Sequence, residues 1–513
     1  MSSRKLRSDR KGLFSGHSAQ RAIIDIGSNT VRVVVYGGSM RAPTVLLNEK
    51  VVARLGSAVA DTGAMSDEAV ELAMRGLRRY RLLLADMGVQ DVEVVATAAV
   101  REASNGADFL EEVRELGFAP RLLDGLEEAR ISAQGVIGAF PGAQGAVADL
   151  GGGSLELVRI GPEGPMQGVS LPLGTLRLAE LRGEKPGVLR KAVTKRLKQA
   201  GSDKPADGPL YLVGGSWRAM AVFAMEARKF PLTDPHGLGL PADEALKLAR
   251  RVARMDPGKL GANPRISAMR AALLPDTAVL LQALLKRLEP ERIVFSSWGL
   301  REGLLYDALD PLARSQDPLL AGVAQFAELR GAPASLATRI AGWTVGALPK
   351  ANGARINGGN ERLRLAATML ALAAMQVEPN MRLRIGLEWA LNKRWIAISP
   401  RGRAMLAAAI YANGNTCTLP DELYKLANEE ALEEAICWGL AIRLCRRIGG
   451  RSNTALQASN LRAGDGKLTL LLDKPHADLF GLPNEKDLEA LATRLGLQAE
   501  LQITDLDRDQ SDN

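Results

Sequence analysis

Histidine and aromatic residues are scarce in this chain, and each shortage argues against a class of function. The three histidines, His17, His236 and His476, lie far apart and near no other metal-binding motif. Histidine zinc sites and Ser-His-Asp triads are not expected, because both need histidine close to its partners. Aromatic residues make up 4% of the chain, which disfavours a platform for stacking single-stranded bases. We therefore expect no nucleic acid partner.

Cysteine and long apolar runs are missing too. The three cysteines, Cys417, Cys437 and Cys445, are too few and too late in the chain for a disulfide framework. No apolar segment of a secretory signal follows the basic N-terminus, and no run of about 18 apolar residues suggests a membrane span. The sequence therefore predicts a protein of the reducing cytoplasm with no membrane partner.

Positive charge is in modest excess. The formal net charge is +8, and about half of it lies in residues 1–20, which we interpret as a disordered basic arm. The remaining excess suits a polyanionic partner, although solubility alone would also explain it.

The stretch from Asp149 to Glu156 reads Asp-Leu-Gly-Gly-Gly-Ser-Leu-Glu between two apolar runs. This pattern predicts a β-hairpin with a glycine turn, whose backbone N–H groups can approach a phosphate because no Cβ intervenes. The two carboxylates on either side of the turn could hold a hard cation through oxygen. The alternative is an ordinary glycine-rich turn.

A second stretch, residues 23–35, has the same pattern. An apolar strand ends in Asp25, Gly27-Ser28-Asn29 follows, and a second apolar strand begins. Two such hairpins predict a duplicated unit with a phosphate site between the copies. Neither hairpin has the GxGxxG of a dinucleotide fold or the GK[ST] of a Walker A loop.

Three other positions suggest anion or proton chemistry. A third strand, near 210–213, runs into Gly214-Gly215-Ser216 and then a helix, whose N-terminus could meet an anion. Arg101 follows another strand, where its guanidinium suits phosphate oxygens, unless it forms a surface ion pair. Glu127 and Glu128 begin a helix, a position that the helix dipole alone favours.

The order of elements predicts the domain organisation. Strands alternate with helices up to about residue 312, which indicates α/β layers. Beyond that point the chain is rich in Ala and Leu at helical spacing, and it ends in a short α+β segment. The predicted division is a basic arm at 1–20, two α/β lobes at 21–130 and 131–311, a helical domain at 312–450 and a small α+β domain at 451–513.

Seven short motifs together resemble the exopolyphosphatase and guanosine pentaphosphate phosphohydrolase (Ppx/GppA) family. They occur in the family's order: DIGSNTVR at 25–32, ATAAVREASN at 96–105, GLEEAR at 125–130, DLGGGSLE at 149–156, LPLGTLR at 171–177, VGGS at 213–216 and GLREG at 299–303. The resemblance implies two actin-like lobes, as in the sugar kinases and heat-shock chaperone ATPases, with a cleft between them. It also implies an HD-like helical domain, but residues 364–375 have no His-Asp pair to bind a metal there.

The resemblance also implies roles for individual residues. Glu127 matches the catalytic glutamate that directs water, with Glu128 expected in a salt bridge. Asp149 and Glu156 match catalytic carboxylates that, with Asp25, bind Mg²⁺, another divalent cation or K⁺. The remaining matches are phosphate-binding residues: Asp25, Gly27, Ser28, Asn29, Arg32, Arg101, Gly151, Gly152, Gly153, Ser154, Gly214, Gly215 and Ser216.

The implied activity is release of orthophosphate from the end of inorganic polyphosphate by a cytoplasmic homodimer. Three alternatives stay open: hydrolysis of guanosine pentaphosphate (pppGpp) to ppGpp, transfer of phosphate from polyphosphate to ADP, and a nucleotide-gated scaffold or filament without turnover. Arg443, Arg446, Arg447 and Arg451 are candidate polymer contacts, or else a solvated basic face.

Overall fold

The computed structural model describes residues 19–183, 187–201, 207–348, 359–449 and 452–505. Residues 1–18 of the predicted arm lie outside these ranges, while Ala19 and Gln20 already belong to the first strand. The described chain forms two compact units, one ending at Phe230 and resuming over Pro235–Pro318, the other comprising Pro231–Asp234 and the chain from Leu319. The finer predicted boundaries, after residues 130, 311 and 450, stay predictions.

The first unit begins with a lobe built on a five-stranded sheet. Its elements are β1 (Ala19–Ile26), β2 (Val31–Gly37), β3 (Thr44–Val51), α1 (Val59–Thr62), α2 (Asp67–Asp86), β4 (Asp91–Ala96), α3 (Ala98–Glu102), α4 (Gly106–Glu115) and β5 (Pro120–Leu122). Ser66 caps α2 by accepting the Ala69 N–H at 3.3 Å. Ile24 and Ile26 face α2 and α4, while Ile23 and Tyr36 face the opposite side of the sheet.

The second lobe is built on a six-stranded sheet. Its elements are α5 (Gly125–Ala139), β6 (Gly145–Leu150), β7 (Leu155–Gly161), β8 (Gly164–Leu171), α6 (Thr175–Glu180), α7 (Val188–Gln199), β9 (Leu210–Val213), α8 (Gly215–Ala227), β10 (Gly239–Pro241), α9 (Ala242–Val252), α10 (Pro257–Gly261), α11 (Ala268–Leu288), β11 (Arg292–Ser296), α12 (Leu300–Asp307) and α13 (Pro311–Ser315).

The two sheets share one topology. The first has the order β3-β2-β1-β4-β5, and the second has β8-β7-β6-β9-β11 with β10 added at the edge. In both, the first three strands are antiparallel and the next two pair in parallel. The duplication expected from the two glycine hairpins is therefore present in the fold, as two actin-like lobes.

Helix α5 packs against both sheets. Its Ile131 lies in a core with Ile23 of the first sheet and Leu304 of α12. On another face of the helix, Ala133 and Val136 pack on the second sheet. Small residues allow this, because a Cβ on Gly135 would overlap the Gly299 carbonyl oxygen at the start of α12. The helix is thus held by both lobes.

Helix α11 is the one described helix with the length and composition of a membrane span. Half of its apolar window is buried, with Leu274, Ala278 and Leu281 fully covered. Its Asp276 also accepts from Arg182 at 3.0 Å. These features are those of a core helix in an α/β domain.

The second unit is mostly helical. Its elements are α14 (Pro318–Glu328), α15 (Ala334–Thr344), a 3₁₀ turn (Val345–Ala347), α16 (Gly359–Ala374), α17 (Arg382–Leu391), α18 (Pro400–Asn413), α19 (Asp421–Tyr424), α20 (Glu429–Gly449), α21 (Asn453–Gln457), β12 (Ser459–Gly464), β13 (Lys467–Asp473), a second 3₁₀ turn (Lys474–Leu479), α22 (Leu482–Arg494) and β14 (Gln498–Thr504). The three strands form one small sheet. Its likeness to an HD-like domain stays a prediction.

Two of the candidate polymer contacts in this unit are engaged internally. Arg443 and Arg447 of α20 both contact Asp487 of α22, at 2.9 and 3.2 Å. Burial and the neighbouring arginines lower the pKa of Arg446, and Arg451 lies outside the described residues. The first two arginines therefore join helices of the unit, which corrects their reading as polymer contacts.

The close approach of α5 to α12 gives a test of the fold. We expect Gly135→Ala to lower the free energy of unfolding by about 1–3 kcal/mol, because the added methyl group has no space. Gly342→Ala in α15 is the matched control, since a Cβ there meets nothing within 4 Å. It should be neutral or stabilising by up to about 1 kcal/mol. Urea unfolding followed by circular dichroism measures both, and equal effects would contradict the packing.

Candidate functional site

A cavity of about 340 Å³ lies where the two glycine turns face each other. A Cβ on Gly153 would lie 2.7 Å from Ser28 Oγ, and one on Gly152 would lie 3.1 Å from Ser28 Cβ. Larger residues at these positions would push the turns apart. The predicted meeting of the two hairpins is therefore present.

Most of the predicted site residues line this cavity. They are Asp25, Gly27, Ser28, Asn29, Arg32, Asp149, Gly151, Gly152, Gly153, Ser154, Glu156, Gly214, Gly215 and Ser216. Gly214 and Gly215 belong to the third glycine step, at the start of α8. The sequence patterns thus located both turns and the helix N-terminus correctly.

Strand register places equivalent residues of the two lobes in matching rows. In the first lobe, Asp25 pairs with Val95 and Arg32, and Arg32 pairs with Lys50; we name these four residues row I. In the second lobe, row II contains Val213, Asp149, Glu156 and Ser170 in the same order across the strands. Each row crosses its sheet beside the glycine turn.

Row II contains two carboxylates whose charged forms are disfavoured by burial and by neighbouring acids. Burial raises the pKa of Asp149 to about 6, against a hydrogen bond from the Ser132 hydroxyl. Burial raises the pKa of Glu156 as well, and the nearby Glu128 and Asp149 carboxylates add to the effect. The Ser170 hydroxyl donates to Glu156 at 2.9 Å. These acids favour a bound proton or cation, because each loses water and faces like charge.

Of the two glutamates at the start of α5, Glu128 forms the expected salt bridge, with Arg101 at 3.3 Å, but it is also the one that faces the cavity. The Asp124 carboxylate caps the helix by accepting the N–H groups of Leu126 and Glu127 at 2.9 and 2.8 Å. The Glu127 carboxylate pairs with Arg121, and Glu127 is not among the described residues that line the cavity. Glu128 is 9% exposed and lines the cavity. The prediction that Glu127 faces the cleft is therefore wrong.

The physical reason is helix geometry. Successive residues on an α-helix point about 100° apart, so only one of two neighbouring glutamates can face the cavity. Burial raises the pKa of Glu128 to about 7, although the Arg101 guanidinium opposes this shift. A buried glutamate with such a pKa has the properties of a general base.

Arg101 lies behind Glu128 and is not on the cavity wall. Its guanidinium donates to the Leu123 carbonyl at 2.7 Å and to Glu128 at 3.3 Å. Its position does not support the expected direct contact with phosphate. It orients the glutamate instead.

Several residues in or next to the cavity have no role that the sequence patterns predict. Ser132, which bonds Asp149, lies one helical turn after Glu128 on α5. Arg301 and Glu302 belong to the GLREG motif, where Arg301 lies 3.9 Å from Asp25 and Glu302 accepts from Tyr36 at 3.1 Å. Distant segments supply further cations, which are Lys50, Arg218 and Arg270. Arg218 could have been predicted from the sequence, because it follows the third glycine step. No local sequence pattern indicates Arg270.

The carboxylates at the cavity can supply only some of the ligands that a hard cation needs. Within the described ranges, no group of three or more Asp, Glu, His or Cys is close enough to enclose a metal. Mg²⁺ usually takes one or two carboxylates and completes its shell with water and phosphate oxygens. The buried pair Asp149 and Glu156 fits such a partial site, and Asp25 stands in the matching place of row I. The predicted use of all three as ligands stays a prediction.

Comparisons with known proteins match the first unit of this chain to one family. The model of the Ppx/GppA phosphatase family matches residues 33–312. Exopolyphosphatase 1 of Mycobacterium leprae is 29% identical over 306 residues, which cover 56% of this chain and 89% of that protein. Exopolyphosphatase 1 of Mycobacterium tuberculosis is 28% identical over 301 residues, covering 56% and 88%.

Solved structures point to the same family. A Ppx/GppA family member from Aquifex aeolicus is 26% identical, with a TM-score of 0.50, over 58% of this chain and 98% of that one. An exopolyphosphatase from Cytophaga hutchinsonii shares the fold. It is 22% identical, with a TM-score of 0.51, over 56% of this chain and 98% of that one. The family match ends at residue 312, so it does not extend over the second unit.

The free-energy cost of burying the ionised Asp149 carboxylate can be measured. Its protonated form contributes stability that is present below the ordinary pKa near 3.8 and lost as pH rises through about 6. Asp149→Asn removes the charge and keeps an oxygen that can accept from Ser132. In EDTA at pH 8, we expect the variant to gain up to about 3 kcal/mol in free energy of unfolding. The gain should shrink at pH 5, and a loss of stability at pH 8 would contradict the assignment.

Proposed function

We propose that this chain, which belongs to the Ppx/GppA phosphatase family, hydrolyses the terminal phosphoanhydride bond of inorganic polyphosphate and releases orthophosphate. The observation that carries the proposal is the cavity, in which two glycine turns and the buried acids of row II meet beside Glu128. Cleaving a phosphoanhydride asks for in-line placement of water, charge neutralisation and a base. The lining residues can supply all three.

Glu128 is the base in this proposal. Its carboxylate takes a proton from a water molecule, whose oxygen attacks the terminal phosphorus. The bond from that phosphorus to the bridging oxygen breaks, and the bridging oxygen becomes the new end of the shortened chain. Arg101 holds the carboxylate at 3.3 Å, so it acts as a positioning residue. A well-placed base contributes roughly 10²–10⁴-fold to the rate.

Asp149 and Glu156 would hold Mg²⁺ through oxygen. When bound, the ion would neutralise charge on the phosphate oxygens. Ser132 and Ser170 fix the two carboxylates by donating to them. The glycine turns present backbone and small side chains to the phosphates, which lets the anion approach closely.

The lining favours a bare phosphate chain over a guanosine nucleotide. Across the ranges that the structure describes, no Phe, Tyr, Trp or His side chain lines the cavity. A guanine base therefore has no aromatic ring to stack on, whereas five basic side chains line the cavity: Arg32, Lys50, Arg218, Arg270 and Arg301. Location in the cytoplasm and assembly as a homodimer remain proposals from the sequence, and sedimentation of the purified protein tests the second.

The choice of base is tested by a matched pair of variants. We expect Glu128→Gln to lower kcat for phosphate release from long-chain polyphosphate by about 10²–10⁴-fold, because the amide cannot accept the proton. Glu127→Gln should change kcat by less than about three-fold, since its carboxylate pairs with Arg121 outside the cavity lining. The reverse ranking would restore Glu127 as the base.

The substrate is tested by direct comparison. With Mg²⁺ present, kcat/KM for phosphate release should be at least about tenfold higher on long-chain polyphosphate than on guanosine pentaphosphate, a preference of about 1.4 kcal/mol. EDTA should abolish turnover and added Mg²⁺ should restore it. Turnover of the nucleotide alone would establish the pentaphosphate phosphohydrolase instead, and release that depends on ADP would establish a phosphotransferase.

A further inference from the structure

The LPLGTLR motif at 171–177 lies beside the glycine turn of the second lobe. It starts at the last residue of β8 and continues into α6, whose first residue is Thr175. Thr175 is 7% exposed and lines the cavity. Neither the carboxylates of row II nor Glu128 belongs to this motif, so its place at the cavity needs an explanation of its own.

The backbone of the motif holds the glycine turn in place. The N–H groups of residues 174–176 donate to the three carbonyl oxygens of residues 151–153, at 2.9–3.2 Å. A Cβ on Gly174 would lie 2.3 Å from the carbonyl carbon of Gly153, so this close approach requires glycine. The turn cannot rotate its peptide planes without breaking these hydrogen bonds, because buried backbone groups need their partners.

The N–H groups of the same turn remain for a ligand. Within the ranges that the structure describes, the N–H groups of Gly152 and Gly153 have no hydrogen-bond acceptor. Both residues line the cavity. Successive N–H groups of this kind bind anions such as phosphate.

The hydroxyl group of Thr175 is available as well. It forms no hydrogen bond with the described residues, yet it is not one of their fully buried polar atoms without a partner. The small exposed area of Thr175 therefore includes the hydroxyl, and the cavity is the space that this residue borders. Ser132 and Ser170 differ from it, since their hydroxyls already donate to the carboxylates of row II.

We propose that the Thr175 hydroxyl is a further substrate contact, which donates a hydrogen bond to an oxygen of the phosphate held at the second glycine turn. The hydrogen bond from the Thr175 N–H to the Gly151 carbonyl, at 3.0 Å, fixes the residue beside that turn. A hydroxyl can donate to an anionic oxygen while it adds no charge next to the carboxylates of row II. The proposal rests on the proposed function, since it takes this phosphate to be the end of a polyphosphate chain.

Thr175→Val tests the contact, because it replaces the hydroxyl with a methyl group of similar size. We expect kcat/KM for phosphate release from long-chain polyphosphate to fall about 10- to 100-fold, the effect of losing a hydrogen bond to a charged group. The inhibition constant of orthophosphate should rise about tenfold for the same reason. The free energy of unfolding in urea should not fall, since the hydroxyl has no partner among the described residues.

Two matched variants separate a substrate contact from a packing role. Thr175→Ser keeps the hydroxyl and loses the methyl group, so it should retain most of the wild-type kcat/KM. A packing role would give the reverse ranking, with the valine variant active and the serine variant weakened. Thr194→Val in α7 is the control, because Thr194 is exposed and its hydroxyl donates to the Arg190 carbonyl at 2.7 Å. It should match the wild type.

Three results would overturn the proposal: an unchanged kcat/KM in Thr175→Val, a serine variant as weak as the valine variant, or equal inhibition of wild type and Thr175→Val by orthophosphate. A wild-type protein that binds orthophosphate but releases none from polyphosphate would refute the proposed function alone. In that case, calorimetric titration of wild type and Thr175→Val with orthophosphate would still decide the contact. A wild-type protein that does neither would overturn both.

Discussion

The packing of α5 between the two sheets is the constraint on which the site depends. One face of the helix contacts the first sheet through Ile131, and another contacts the second sheet through Ala133 and Val136. With both faces fixed, Glu128 lines the cavity, and Ser132, one turn further along the helix, donates to Asp149. A single helix thus places Glu128 and Ser132 beside the carboxylates of row II.

The site is held together at an electrostatic cost. Asp25, Asp149, Glu156 and Glu128 all have pKa values raised by burial, so the folded chain retains carboxylates that would be more stable in water. The apolar cores on both sides of α5 and the close glycine contacts offset this cost. Such a site favours ligands that bring positive charge to row II, and its stability and its function are opposed.

The duplication places two different sets of side chains at equivalent positions around one cavity. The two lobes keep the same strand order, the same turn and the same first acid. They differ at the next two positions of each row, where Arg32 and Lys50 replace a glutamate and a serine. Equivalent positions of the two lobes therefore present different charges to the same cavity.

Local sequence patterns were enough to predict the two hairpins, the acids Asp25, Asp149 and Glu156, and the third glycine step, because strand alternation and glycine turns involve neighbouring residues. It could not choose between Glu127 and Glu128, since both occupy the first turn of α5 and only packing sets the rotation of that helix. It also could not place Arg101 against Glu128 or bring Arg270 near Lys50. Those positions join segments far apart in the chain and follow from how the chain packs, because burial and charge act through space and not along the sequence.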